Sequence, residues 1–133
     1  MSNGPLPTLT PLNQVYWEGT AKRELRVRHC RACDARFRFV RSMCPVCWSE
    51  DLDWQVVSGR GKVVACTIVT SAPYESVADR VPYVLALIHL AEGPTMMANV
   101  VECAPEAVHV GMAVDLTFEA RGEFTLPQFR PAK

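Results

Sequence analysis

The spacing of apolar and polar residues changes character along this chain and divides it into three parts. The opening MSNGPLPTLTP is Pro-rich and reads as an extended arm. Thr10-Pro11 is a helix start, because Thr caps and Pro suits a first turn. LNQVYWEG then predicts a short helix closing at Gly19. ELRVRHC, residues 24–30, alternates apolar and basic side chains, as a strand does, and ARFRFVR alternates again with Phe37 and Phe39 on one face. From Leu52 five β-rich runs follow: LDWQVVS, GKVVACTIVTS, PYVLALIHLA, TMMANVV and AVDLTFEA. Turn signals separate them at Ser58-Gly59-Arg60-Gly61, Ala72-Pro73, Glu92-Gly93-Pro94 and Val110-Gly111. Five short strands with Gly-rich turns suit a small barrel of the OB type. SAPYESVADRVPY joins the second and third of them, and loops of that size line binding faces. The expected organisation is an arm and helix over 1–22, a cysteine-rich ribbon over 23–51, and a barrel with a C-terminal tail, FTLPQFRPAK, over 52–133.

The ribbon carries the strongest chemical signal. Cys30-Arg31-Ala32-Cys33 and Cys44-Pro45-Val46-Cys47 are two Cys-x-x-Cys turns with ten residues between them. One such turn offers two thiolates to a metal, and the second completes a tetrahedron. Basic neighbours favour the thiolate over the thiol. Four cysteines leave no open coordination position, so the metal is structural and staples a segment too small to fold alone. Zinc fits; a four-thiolate iron site has the same ligand geometry. A thioredoxin-like redox pair would sit in a βαβ unit, and none is visible. Cys66, within a strand, reads as a small core residue, and Cys103 has no evident base beside it to make it a nucleophile.

Composition refines this picture. Hydrophobic residues are 49% of the 133, enough for a packed core. Formal net charge is zero, yet residues 1–50 carry +4 and residues 51–133 carry −4. That asymmetry points either to an anionic partner for the first half, such as nucleic acid or the phosphates of a nucleotide cofactor, or to a solvated face paired with the acidic half. No run reaches the roughly 18 apolar residues of a membrane span, and the start lacks a signal-peptide layout. Both point to the cytoplasm, where thiols stay reduced and disulfides are disfavoured. A catalytic set is not readable. His29 abuts the first cysteine and reads as exposed or supporting a ligand. His89 lies in an apolar strand as a core or barrel-face residue, and His109 reads as surface. There is no Gly-x-Ser-x-Gly elbow and no phosphate loop, and Glu75, Asp79 and Glu92 fall in loops without partners.

The order of these signals resembles the rubredoxin-like zinc-ribbon plus OB-fold proteins that accompany thiolase-like enzymes, a family long described as a domain of unknown function. The resemblance rests on VYWEGTAKREL leading into the four-cysteine ribbon, on GRGKVVACTIV, VPYVLALIHLAEGPTMMANVV and VGMAVDLTFE, and on the closing LPQFRP. It covers residues 11–131, and the order is more specific than any one motif. Asp34 departs from the pattern, since the family usually has Gly after the second cysteine. The resemblance implies a mainly β fold: an N-terminal helix, a rubredoxin-like zinc ribbon and a C-terminal five-stranded OB-fold barrel. It implies Cys30, Cys33, Cys44 and Cys47 as ligands of structural zinc. It also implies an accessory subunit whose partner, a thiolase-like or lipid-transfer-type thiolase protein, carries the catalytic residues. The pair would form a heterotetramer acting on an acyl-CoA by thiolysis, retro-aldol cleavage or acyl transfer, in steroid side-chain or fatty acyl degradation. A hot-dog hydratase is a further partner it implies. Tyr16, Trp17 and Phe129 are the expected interface anchors, and packing of Val15, Tyr16 and Trp17 on the domain's own core is the competing expectation.

Two other readings compete. A single-stranded nucleic-acid-binding module would use the same ribbon and barrel with the basic first half, but the barrel half is acidic and its strands are aliphatic where stacking platforms are needed. A free-standing acyltransferase or hydrolase would need a nucleophile–base pair.

Overall fold

The structure is a computed structural model that describes residues 6–73 and 75–132. The first five residues of the expected arm, Tyr74 in the long loop, and Lys133 lie outside the described residues. Helix α1 spans Gln14–Ala21. Its regular part starts after a turn over 11–13 that Thr10 caps as predicted: the Thr10 N–H donates to Asn13 Oδ1 (2.8 Å) and the Asn13 N–H to Thr10 Oγ1 (3.2 Å). The helix runs past Gly19. That glycine is buried, and a Cβ there would lie 2.6–2.8 Å from the Arg26 side chain. Gly19 makes room for the Arg26 side chain and does not terminate the helix. The left-handed residue beyond the helix is Arg23 (φ 63).

Strands β1 (Leu25–Cys30), β2 (Arg36–Phe37) and β3 (Leu52–Val57) form an antiparallel sheet in the order β2-β1-β3. Strands β4 (Arg60–Val69), β5 (Tyr83–Leu90), β6 (Thr95–Val100), β7 (Ala113–Arg121) and β8 (Phe124–Pro131) close a barrel in the order β4-β5-β6-β8-β7. The five-stranded barrel is as expected, but its membership differs. LDWQVV leaves it: β3 pairs with β1 from Leu25↔Val57 to Cys30↔Leu52. The tail joins it: FTLPQFRP is β8, paired with β7 from Arg121↔Phe124 to Val114↔Pro131. Alternation marks LDWQVV as a strand without naming its sheet. The prolines disguised β8, yet on its β6 side β8 is registered only at Val100↔Phe129, so Pro127 and Pro131 interrupt no ladder there.

One core serves both sheets. Val84, Ala86, Ile88 and Leu90 of β5 alternate inward with Met96, Ala98 and Val100 of β6, and the same cluster takes in Tyr16 from the helix, Leu25 and Val27 from β1 and Phe129 from β8. Tyr16 and Phe129 are 1% and 0% exposed, so neither is a surface anchor; both are central core residues. Trp17 is half-buried, edge-on to Phe124 with ring centroids 5.4 Å apart. Phe37 and Phe39 do not share a face as alternation predicted, because β2 ends at Phe37: Phe37 is buried and Phe39 is 65% exposed. Cys66 is exposed, not core. The β4–β5 register slips between Val63 and Ala65, and β7 borders β4 only through Arg60–Lys62, so beyond the slip β4 pairs with β5 alone and its residues from Val64 to Ile68 are exposed.

Gly61 of β4 lies close against β5. A Cβ there would meet Ile88 Cγ2 at 2.7 Å and the His89 carbonyl oxygen at 2.9 Å. Backbone cannot yield as a side chain can. Gly61→Ala is expected to destabilise the chain by about 2 kcal/mol, measured as a lower midpoint in urea unfolding.

Candidate metal centre and neighbouring sites

The two Cys-x-x-Cys turns meet at the end of β1. Cys30 closes that strand, Cys33 follows in the turn toward β2, and Cys44 and Cys47 lie on the loop between β2 and β3. Equivalent backbone bonds shape both turns: the Asp34 N–H donates to the Cys30 carbonyl (2.8 Å), and the Trp48 N–H to the Cys44 carbonyl (2.9 Å). The four sulfurs lie within 4.8 Å of one another, with Cys30 Sγ 3.5 Å from Cys47 Sγ and Cys33 Sγ 3.6 Å from Cys44 Sγ. A tetrahedral ion with metal–sulfur bonds of about 2.3 Å needs sulfurs about 3.8 Å apart. All six cysteines are free thiols. N–H groups aim at the sulfurs: Cys33 at Cys30 Sγ (3.4 Å), Val46 and Cys47 at Cys44 Sγ (3.3 and 3.5 Å). Such donors favour a thiolate, and burial opposes it. At Cys44 burial is outweighed by the Cys47 and Val46 N–H groups, together with the neighbouring thiols, and the thiol is held at about 6. At Cys33 the Ala35 N–H favours the thiolate, yet burial and the other three sulfurs push the group up to about 12. Gathered without a cation, the sulfurs resist ionising together. A divalent ion supplies the missing charge, so the donor set fits a metal.

His29 supports the cage. It is buried, with Nδ1 2.9 Å from Asp53 Oδ1 and Nε2 2.6 Å from Asp34 Oδ1. The Asp34 hydrogen bond raises its pKa; burial works against this, and Asp53 adds to the rise. Asp34 stands at φ 67, a conformation Gly adopts without cost, which accounts for the departure at this position. Its carboxylate ties the first turn back to β1.

A second polar cluster closes the barrel where β6 and β8 barely meet. Gln128 Oε1 accepts the Asn99 N–H (2.8 Å), and its Nε2 reaches Asn99 Oδ1 (3.2 Å) and Glu119 Oε1 (3.4 Å). Glu119 Oε2 also receives Arg121 Nη2 (2.8 Å) and Arg80 Nη1 (3.1 Å). Asn99, Glu119, Arg121 and Arg80 line, with Val77, Tyr83, Leu85 and Val101, a cavity of about 390 Å³, into which the long loop delivers Val77 and Arg80. His89 is exposed on the outer barrel face beside Thr95, and His109 is exposed. Sequence reasoning missed His29 as a bridge between two carboxylates and the Glu119 cluster entirely. Its members come from the long loop and from β6, β7 and β8, and no spacing links them.

The residues that make the first half basic are mostly engaged within the chain. Arg26, Arg31 and Arg36 reach Glu24, Asp51 and Asp34. Arg23, Arg28, Arg38 and Arg41 sit over the rings of Phe118, Trp54, Tyr16 and Phe39 at 4.9, 4.6, 4.0 and 5.7 Å.

Comparison with known proteins gives this architecture its family. Residues 17–53 match the ChsH2 rubredoxin-like zinc ribbon domain, and residues 54–119 match the ChsH2 C-terminal OB-fold domain. A solved chain of an Ltp2-ChsH2 (DUF35) aldolase superposes with a TM-score of 0.85 at 34% identity, covering 96% of this chain and 100% of that one. The chain belongs to the ChsH2 (DUF35) family. It is also 36% identical over 129 residues to a probable enoyl-CoA hydratase alpha subunit of Thermomonospora curvata, covering 96% of this chain and 40% of that protein. To a DUF35 domain-containing scaffold protein of Pyrococcus furiosus it is 37% identical over 84 residues, covering 63% of this chain and 61% of that one. It thus spans less than two thirds of the length of these curated relatives. Among the described residues no helix is long and apolar enough to cross a membrane.

Two outcomes follow from the geometry. Purified chain should carry about one metal ion, and Cys44→Ala should lose it together with the order of the ribbon, read by metal analysis and by the fall in Tm. Glu119 has its carboxyl held below the usual value of 4.5: burial raises it, and Arg121 and Arg80 more than reverse that. A depressed folded value means stability that is present above 4.5 and lost as pH falls through it. Glu119→Gln should therefore cost about 2 kcal/mol at neutral pH, with the gap to the wild-type chain closing below pH 4.5.

Proposed function

We propose that this chain is an accessory subunit of a thiolase-type acyl-CoA enzyme. The observation that carries this is its full-length likeness to the ChsH2 chain of an Ltp2-ChsH2 aldolase. In this reading Cys30, Cys33, Cys44 and Cys47 hold structural zinc, which orders the ribbon and takes no part in the reaction. A thiolase-fold or lipid-transfer-type thiolase partner supplies the reacting groups, and two copies of each protein assemble as a heterotetramer. The substrate of the assembly is an acyl-CoA of steroid side-chain or fatty acyl type. Bond cleavage of the retro-aldol class leads, with thiolysis and acyl transfer as its relatives. This chain scaffolds the partner and completes its acyl-CoA channel. The likeness to a hydratase alpha subunit supports a hot-dog hydratase as a further partner. Free thiols around a metal suit the reducing cytoplasm. The single-stranded nucleic-acid reading drew on the basic first half, and that support is withdrawn by the engagement of its arginines with carboxylates and rings inside the chain.

The test is a tagged pull-down from the native host, followed by native mass spectrometry, metal analysis and assay. The expected result is a thiolase-fold protein in fixed ratio, about one zinc per copy of this chain, and acyl-CoA turnover by the pair that neither protein shows alone. A chain that elutes alone, or with nucleic acid, would sink the proposal.

A further inference from the structure

The second cysteine turn carries a tryptophan where its backbone asks for glycine. Trp48 follows Cys47 directly and has φ 68, in the left-handed region that a bulky side chain occupies only at a cost. Asp34 holds the equivalent place in the first turn at φ 67, and there the reason is visible: its carboxylate bonds His29. Trp48 has no such internal use. It is 74% exposed, and among the described residues its indole makes no hydrogen bond, ring contact or cation contact. A strained position that holds a large, exposed aromatic is maintained for something outside the chain.

Its surroundings say what kind of thing. Trp48 borders a groove of about 520 Å³ whose apolar walls are Leu12, Val40, Met43 and Pro45, with Arg41 at the rim. Met43 and neighbouring Val46 are 40% and 69% exposed. From Ala35 to Ser49 the chain holds no acidic residue; Arg36 reaches Asp34 and Arg38 lies over Tyr16, whereas Arg41, 5.7 Å from the exposed ring of Phe39, keeps its charge at the rim. Tryptophan, methionine and arginine around an apolar recess make up the composition of a protein interface centre. The positive rim complements an acidic border on the partner.

We propose that Trp48 is the anchor by which this chain docks on its thiolase-type partner, seated with Met43 and Val46 against an apolar surface of the partner edged by Asp or Glu. The inference rests on the accessory-subunit reading above. It also gives the metal a purpose beyond folding, because the cage holds the turn that presents the indole.

The experiment uses the complex with the thiolase-type partner and the variant Trp48→Gly, which relieves the left-handed strain. The isolated variant should keep its metal and melt at the wild-type temperature or above, while its affinity for the partner falls at least tenfold. Trp48→Asn, whose residue also tolerates this backbone, should weaken binding as much and guards against a folding artefact. Arg41→Glu should weaken binding further as salt is lowered. Partner affinity within twofold of wild type for both Trp48 variants would overturn the anchor while leaving the subunit reading intact. So would unchanged complex formation with weakened acyl-CoA binding, which would assign the indole to the ligand. Failure of the wild-type chain itself to bind any thiolase-type protein would instead remove the reading on which the anchor rests.

Discussion

Four sulfurs within 4.8 Å of one another constrain the ribbon more than anything else in it. Between Arg31 and Asp51 the only regular structure is the two-residue strand β2. The buried cluster there is Cys30, Phe37 and Cys44, backed by Ala35 and Leu52. That is too little apolar area to order twenty residues against their conformational entropy. A metal holding the two turns together supplies what burial cannot. The constraint also reaches the rest of the molecule. Cys30 is the last residue of β1, whose Leu25 and Val27 lie in the core shared with the barrel. The cage therefore sits at the end of a strand that is rooted in the barrel, and the ribbon tip is positioned on that core.

The sequence revealed the elements that depend on local spacing. The two cysteine turns, the alternation of β1 and of the barrel strands, and the turn glycines each follow from residues close in the chain. What it obscured depends on partners far away. LDWQVV alternates equally well for either sheet, and its pairing with β1 is decided across the structure. FTLPQFRP hides its pairing behind prolines that sit where β6 makes no ladder. Tyr16 resembles an exposed aromatic on a short helix until β1 and β8 are seen to cover it. Cys66 resembles a core residue until β4 beyond the slip between Val63 and Ala65 is seen to pair with β5 alone, with no β7 beside it. Local pattern fixes what an element is; burial of a given side chain follows from what packs against it.

Charge shows the same limit. The basic excess of residues 1–50 is real, but a count of formal charge says nothing of where each guanidinium goes. Three pair with carboxylates and four lie over aromatic rings, where delocalised charge and a flat apolar surface suit each other. Arg38 over the buried ring of Tyr16, at 4.0 Å, fastens the segment after β2 to the helix. Much of the apparent electrostatic footprint is thus mortar between ribbon, helix and barrel.

The two cysteine turns make a natural experiment in what a backbone position can be used for. Each places the residue after its second cysteine in the left-handed region, and each accepts a side chain there in place of glycine. In the first turn the side chain points its charge at His29 and thereby at β1, which returns the cost as internal order. In the second the ring is mostly exposed, at the edge of the groove lined by Leu12, Val40, Met43 and Pro45, and makes no polar bond within the described residues. Stability alone would select glycine at the second position and has a reason for aspartate at the first. Residues that defy the local rule divide, on this ground, into those whose compensation is a bond within the fold and those, like Trp48, for which the described residues hold no such bond. The deviation at Trp48 could have been read from sequence by asking of both turns the question put to Asp34. Which of the two kinds it is could be read only from the structure.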